Sequence, residues 1–172
     1  MADSVTAADF KAAMASFAAG VTVITTLDAT GKPQALTATA FSSLSKDPPL
    51  CLVCIDKLAR AHASLLNRRS FAVNILSAQQ KQLSARFAVS APEKFDGVRY
   101  SSGPRTGCPL VEGALAWIEC EIVSVHGGGD HDIFVGRLLQ VTVNAGKPLV
   151  YWRGAYAALT DPARELSDSS RV

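Results

Sequence analysis

The sequence predicts a mainly antiparallel β-barrel with a few helices packed outside it. Short β-branched runs recur along the chain, turn residues separate them, and few stretches carry helical periodicity. At 172 residues and 48% hydrophobic, the chain suits a single domain around one core. That core is expected over about residues 10–159, with 160–172 a polar tail.

The first expected element is a helix. Phe10, Ala13, Met14 and Phe17 recur at offsets that share one helical face, and Thr6 and Asp9 are spaced as a capping pair before it. Gly20 is expected to end it. Val21 to Leu27 is rich in β-branched residues, and the Asp28-Ala29-Thr30-Gly31 turn leads into an extended run from Gln34 to Phe41, so the two form a hairpin. Pro48 and Pro49 lack ladder donors, which places a loop before the apolar strand Leu50 to Ile55. Helical composition returns from Leu58 to Asn67, then a strand from Phe71 to Leu76 and a helix from about Ala78 to Ala88.

Residues 89–113 are punctuated by prolines and glycines and are expected to be irregular. Between Ala114 and Val123 the sequence alternates. Ala116, Ile118, Cys120 and Ile122 share one face, and Trp117, Glu119 and Glu121 share the other, as in a half-buried strand. The Gly127-Gly128-Gly129 turn leads to its antiparallel partner, Ile133 to Val143, and Leu149 to Trp152 forms a last short strand.

Several function classes lack support. A net charge of +2, from 17 basic and 15 acidic residues, is too balanced for the phosphate attraction that nucleic-acid binding requires. No apolar run reaches the roughly 20 residues of a membrane span, and Met1 to Ser4 lacks the character of a signal peptide, so a cytoplasmic location is expected. The four cysteines then read as reduced core residues. Cys51 and Cys54 have a zinc-like gap, yet in a strand their side chains face opposite ways, and no metal site is expected. His126, Asp130, His131 and Asp132 around a glycine turn are likewise a weak metal signal. The glycine triplet leads into a strand, not a helix, so it is not a dinucleotide fingerprint. Nucleophile motifs are absent as well.

Four segments together carry a resemblance. They are Phe17 to Thr26; Leu36 to Ser45 with Asp47-Pro48-Pro49-Leu50; Phe71 to Leu76 with Leu83-Ser84-Ala85-Arg86-Phe87; and Leu115 through Gly129-Asp130-His131 and Gly136-Arg137 to Leu149-Val150-Tyr151-Trp152-Arg153-Gly154. In this order and spacing, over roughly residues 10–159, the chain resembles the flavin reductase family with the FMN-binding split-barrel fold. The resemblance implies an antiparallel split β-barrel with flanking helices. It also implies NAD(P)H-dependent reduction of free flavin, FMN or FAD, for a partner monooxygenase reached by diffusing reduced flavin, and a homodimer.

The resemblance also implies a site. A flavin needs an apolar slot for its ring, donors and acceptors for its pyrimidine edge, and amides, hydroxyls or a cation for its phosphate. Thr37, Ala38, Thr39, Ala40, Phe41, Ser42 and Ser43 match the segment that cradles the flavin in the family, supplying hydroxyls and small side chains. Lys57, Arg60 and His62 match the phosphate and ribityl loop, where many relatives carry Ser or Thr at the positions of Ala59 and His62. Arg86 and Phe87 match the family's Arg-Phe pair. His131, in the Gly-Asp-His element, is assigned to the nicotinamide, and Tyr151, Arg153 and Tyr156 fall in the C-terminal ligand-contact region. Hydride transfer between cofactors requires orientation more than an acid or base, so no catalytic residue is assigned with certainty. Two other activities suit the same fold: a flavin-binding electron-transfer module that does not accept NAD(P)H, and an oxidase like pyridoxamine-phosphate oxidase. The Gly-Asp-His element and the Pro-Pro turn speak against the second.

Overall fold

The computed structural model describes residues 4–91 and 93–159; the expected polar tail over 160–172 lies outside them. The chain opens with α1 (Ala7–Ala15). Thr6 and Asp9 form its capping box, since Thr6 Oγ1 accepts from Asp9 N at 3.1 Å and Thr6 N donates to Asp9 Oδ2 at 3.2 Å. The helix ends at Ser16, short of Gly20, because residues 19 and 20 are drawn into a strand, β1 (Ala19–Gly20), paired to the C-terminal part of the chain. No residue of α1 is buried, and Phe17 just beyond it is 78% exposed.

The expected hairpin forms from β2 (Thr22–Leu27) and β3 (Pro33–Ala38). Asp28 Oδ1 holds its turn, accepting from the Thr30 and Lys32 amides, each at 2.9 Å. The extended run does not continue unbroken to Phe41. It breaks after Ala38 and resumes as β4 (Phe41–Ser45), which pairs with β5 (Leu50–Asp56) and not with β2. A barrel corner falls here: one stretch of chain supplies both edge strands, and residues 39 and 40 turn between them.

Next come α2 (Arg60–Arg68), β6 (Ser70–Ile75), a short 3₁₀ turn (Ala78–Gln80) and α3 (Lys81–Ala88). Within the irregular 89–113 segment lie two short paired strands, β7 (Tyr100–Ser102) and β8 (Pro109–Val111). The long hairpin of β9 (Ala116–Gly128) and β10 (His131–Val143) turns at Gly129, whose φ of 72° suits glycine. The chain closes with β11 (Val150–Trp152) and β12 (Ala155–Ala157).

The main sheet has seven antiparallel strands in the order β3-β2-β6-β9-β10-β5-β4. Its curled interior is packed by Ile24, Val53, Phe71, Val73, Cys120 and Phe134. A second cluster, Val21, Val23, Leu76, Phe87 and Leu149, seats α3 on the outer side. The alternation in β9 holds for Ile118, Cys120 and Ile122, but Glu119 is not a solvated outer residue. It is 2% exposed, because the loop 103–108 folds over it and donates to its Oε2 from Arg105 N (3.0 Å), Thr106 N (2.7 Å) and Thr106 Oγ1 (2.7 Å). Among the described residues, no helix is long and apolar enough to cross a membrane.

Candidate functional site

The break between β3 and β4 opens the site. The ladders skip Thr39, which lines a cleft of about 420 Å³. Seven of the residues assigned from the sequence line this cleft together: Thr37, Ala38, Thr39 and Ala40 along one wall, Arg60, Phe87 and His131 around it. The start of α2 and the end of α3 supply further walls. Small residues at 38 and 40 leave a slot beside the backbone, and Cys54 lies in the same cleft. Cys51, three strand positions before it, points the other way into the core, its sulfur 3.6 Å from that of Cys120.

One end of the cleft is cationic. Arg60 and Lys94 both line it. Lys94 Nζ donates to the carbonyls of Phe87 (3.1 Å) and Ala35 (3.3 Å), and burial, with Arg60 adding repulsion, holds its ammonium below the usual lysine range. Neither cation has a carboxylate within 4.0 Å among the described residues. α2 also begins there behind Ala59, which has no side chain to cap the helix amides. Two cations beside a helix start make a fitting cradle for a phosphate, while Asp56, which also lines the cleft, turns its Oδ1 to the Leu58 amide at 2.8 Å. The sequence does not single out Lys94, because it sits in the irregular segment, where no periodicity places a side chain.

His131 stands at another part of the rim. Its Nδ1 pairs with Asp130 Oδ1 at 2.7 Å, which leaves Nε2 for a ligand and holds the Asp130 carboxyl below the usual carboxylate range.

The remaining assigned residues lie elsewhere. Phe41, Ser42 and Ser43 follow the corner on β4 and are not in the cleft. Lys57 turns to the Gly129 carbonyl (2.6 Å), and His62 to Asp132 Oδ2 (2.7 Å). Arg86 donates to the Asp96 carbonyl and faces a second, polar cavity on the far side of α3. Tyr156 Oη donates to Ser84 Oγ at 2.9 Å beside the second core cluster. Tyr151 and Arg153 line an apolar groove under α1, with Phe10, Met14 and Phe17; Thr39 belongs to both this groove and the cleft. Among the described residues, no group of three His, Cys, Asp or Glu side chains could hold a metal ion.

A family model described as a flavin reductase like domain matches residues 14–160. The chain belongs to this family. A probable flavin reductase of Rhizobium meliloti is 42% identical over 144 residues, which is 84% of this chain and 46% of that protein. The chain thus spans less than half the length of that relative. The flavin-dependent monooxygenase reductase subunit HsaB of Rhodococcus jostii is 37% identical over 151 residues, 87% of this chain and 76% of that one. Among solved structures, the NADH:FAD oxidoreductase SgcE6 of Streptomyces globisporus, in complex with NAD and FAD fragments, superposes with a TM-score of 0.88 at 33% identity, covering 95% of this chain and 98% of its own. The fold of this flavin reductase family member is accordingly the antiparallel split barrel that the sequence predicts.

Proposed function

We propose that this chain reduces flavin with NADH in the cleft at the β3–β4 corner and releases the reduced flavin to a partner monooxygenase. The observation that carries the reading is the cleft's lining: a slot of small residues at Ala38 and Ala40 beside the unpaired corner at Thr39, with two cations that have no carboxylate within 4.0 Å among the described residues. The names of the relatives agree with it, including a monooxygenase reductase subunit and a NADH:FAD oxidoreductase.

When bound, the flavin supplies the hydride-accepting ring and NADH the hydride. The protein's residues bind and orient. Ala38 and Ala40 admit a flat ring close to the backbone, where polar groups of the corner at Thr39 can meet its pyrimidine edge. Arg60, Lys94 and the α2 amides neutralise the phosphate. His131 offers Nε2 to the nicotinamide side, its ring held by Asp130. Phe87, fully buried at the end of α3, closes the wall against water.

A second copy of the chain completes the proposal. α1 has nine residues, too few for independent stability, and buries none of them, while Phe10, Met14, Phe17 and Trp152 present apolar surface next to Thr39. A homodimer that covers this face would account for a helix with no core of its own.

The test is steady-state oxidation of NADH and NADPH with FMN, FAD and riboflavin under air. NADH oxidation should depend on added flavin, and its absence would defeat the proposal. Arg60→Ala and Lys94→Gln should each raise the KM for FMN about tenfold, the scale of one lost charge-assisted contact. Riboflavin has no phosphate, so its KM should stay put. Light scattering in solution should report twice the mass of one chain.

A further inference from the structure

We infer that His62 and Asp132 are positioning residues: their contact ties the first turn of α2, which carries Arg60, to the tip of β10, which carries His131. The inference rests on the flavin reading above and adds what holds the phosphate end of the cleft in place.

The first turn of α2 is packed through buried Ala61 but has few polar tethers. Ala59 cannot cap it, and the local backbone bonds are Ala59 N to the Asp56 carbonyl and His62 N to the Ala59 carbonyl, each 2.9 Å. Among the described residues, one side-chain bond joins this turn to the sheet: His62 Nε2 to Asp132 Oδ2, at 2.7 Å. An ionised carboxylate only accepts, so Nε2 carries the proton and donates. This bond holds the Asp132 carboxyl below the usual range, with smaller help from Lys57.

Both side chains are largely shielded, His62 being 12% and Asp132 15% exposed, so water competes weakly for the bond. The imidazole also stands edge-on to Phe134, ring centroids 5.5 Å apart, and Phe134 is fully buried in the barrel core. Lys57 adds a second stitch. Its Nζ lies 3.6 Å from Asp132 Oδ1 and donates to the Gly129 carbonyl. Among the described residues, the further charged group within 4.0 Å of the pair is Lys57, from the loop before α2.

The division of labour follows from the ladder. The backbone of His131 is already set by its register with Asp56 on β5, so the pair is not needed to place it. Arg60 has no such ladder: α2 is seated by buried Ala61 and Leu65, and the His62 contact is the side-chain bond that fixes how its first turn sits over the cleft. Losing the pair should therefore loosen the phosphate end and spare the hydride step, which appears as a change in flavin KM with kcat preserved.

The experiment measures FMN and riboflavin kinetics for His62→Ala, His62→Gln, Asp132→Asn and the double variant His62→Ala/Asp132→Asn, alongside Arg60→Ala. His62→Ala should raise the KM for FMN about five- to tenfold with kcat within about twofold, and leave the KM for riboflavin unchanged. His62→Gln, which keeps an N–H donor, should recover most of the loss. The double variant should be no worse than His62→Ala. Asp132→Asn keeps an acceptor for the imidazole and should give a smaller rise in FMN KM, a check that stands even if His62→Ala folds poorly. Unchanged FMN KM, equal losses for FMN and riboflavin, or additive losses in the double variant would each overturn the inference. If Arg60→Ala itself leaves the FMN KM unchanged, the flavin placement fails; if Arg60→Ala raises it and His62→Ala does not, only the positioning role fails.

Discussion

Replacing Gly136 with alanine adds one methyl group at the most crowded point of β10. A Cβ built there would lie 2.5 Å from Phe71 Cζ, 2.8 Å from Phe71 Cε1 and 3.0 Å from Cys120 Cβ. Carbon atoms attract at about 3.5–4.0 Å, so the overlap approaches 1 Å, and it falls on two residues with no exposed surface. The Gly136 backbone is not in the left-handed region, so the whole cost is steric. The ring of Phe71 is locked among Ile24, Val53 and Phe134, which leaves strand displacement as the relief. Overpacking of this kind costs about 1–3 kcal/mol. At roughly 2–4 °C per kcal/mol for a chain of this size, Tm should fall by about 2–12 °C. Urea unfolding at fixed protein concentration should show a lower midpoint with an unchanged slope. Phe71→Leu in the Gly136→Ala background should return part of the loss. A Gly136→Ala protein within about 0.5 kcal/mol of the parent, or strictly additive losses in the pair, would refute the steric account.

Three further outcomes are expected. His131→Ala should raise the apparent KM for NADH more than that for flavin, and equal losses would count against a nicotinamide role. Glu119→Ala should destabilise by about 3 kcal/mol, because it strips two buried Thr106 donors and the part-buried Arg105 amide of their acceptor, whereas Glu119→Gln should cost less; denaturant midpoints decide between them. Asp130 and Asp132 both have folded pKa values held below the usual carboxylate value of about 3.9 by their histidine contacts. Each therefore adds stability above that value and loses it as pH falls through the depressed folded pKa. Melting curves in acid should show the gap between the parent and Asp132→Asn narrowing below about pH 4, and a constant gap would count against the linkage.

Much of the fold was legible along the chain because its signals are local. The Thr6–Asp9 capping box, the Asp28 turn, the alternation in β9 and the Gly129 turn each depend on residues within a few positions of one another. The stretch from Thr37 to Ala40, Arg60, Phe87 and His131 could be nominated as site residues through a family pattern, and they do share one cleft. Other assigned residues lie outside that cleft, each drawn to a long-range partner. Nothing near His62 announces that Asp132, seventy residues on, will take its imidazole, and nothing near Arg86 announces the Asp96 carbonyl.

The sequence by itself determined which segments extend, which coil and where they turn, since backbone sterics and side-chain periodicity act over a few residues. Only the tertiary structure decided three other things: that an extended run breaks at Thr39 to serve both edges of the barrel, that a loop buries Glu119, and that Lys94 joins Arg60. Each of these depends on strands and loops distant in sequence meeting in space, where burial and charge are settled by the whole fold rather than by neighbours along the chain.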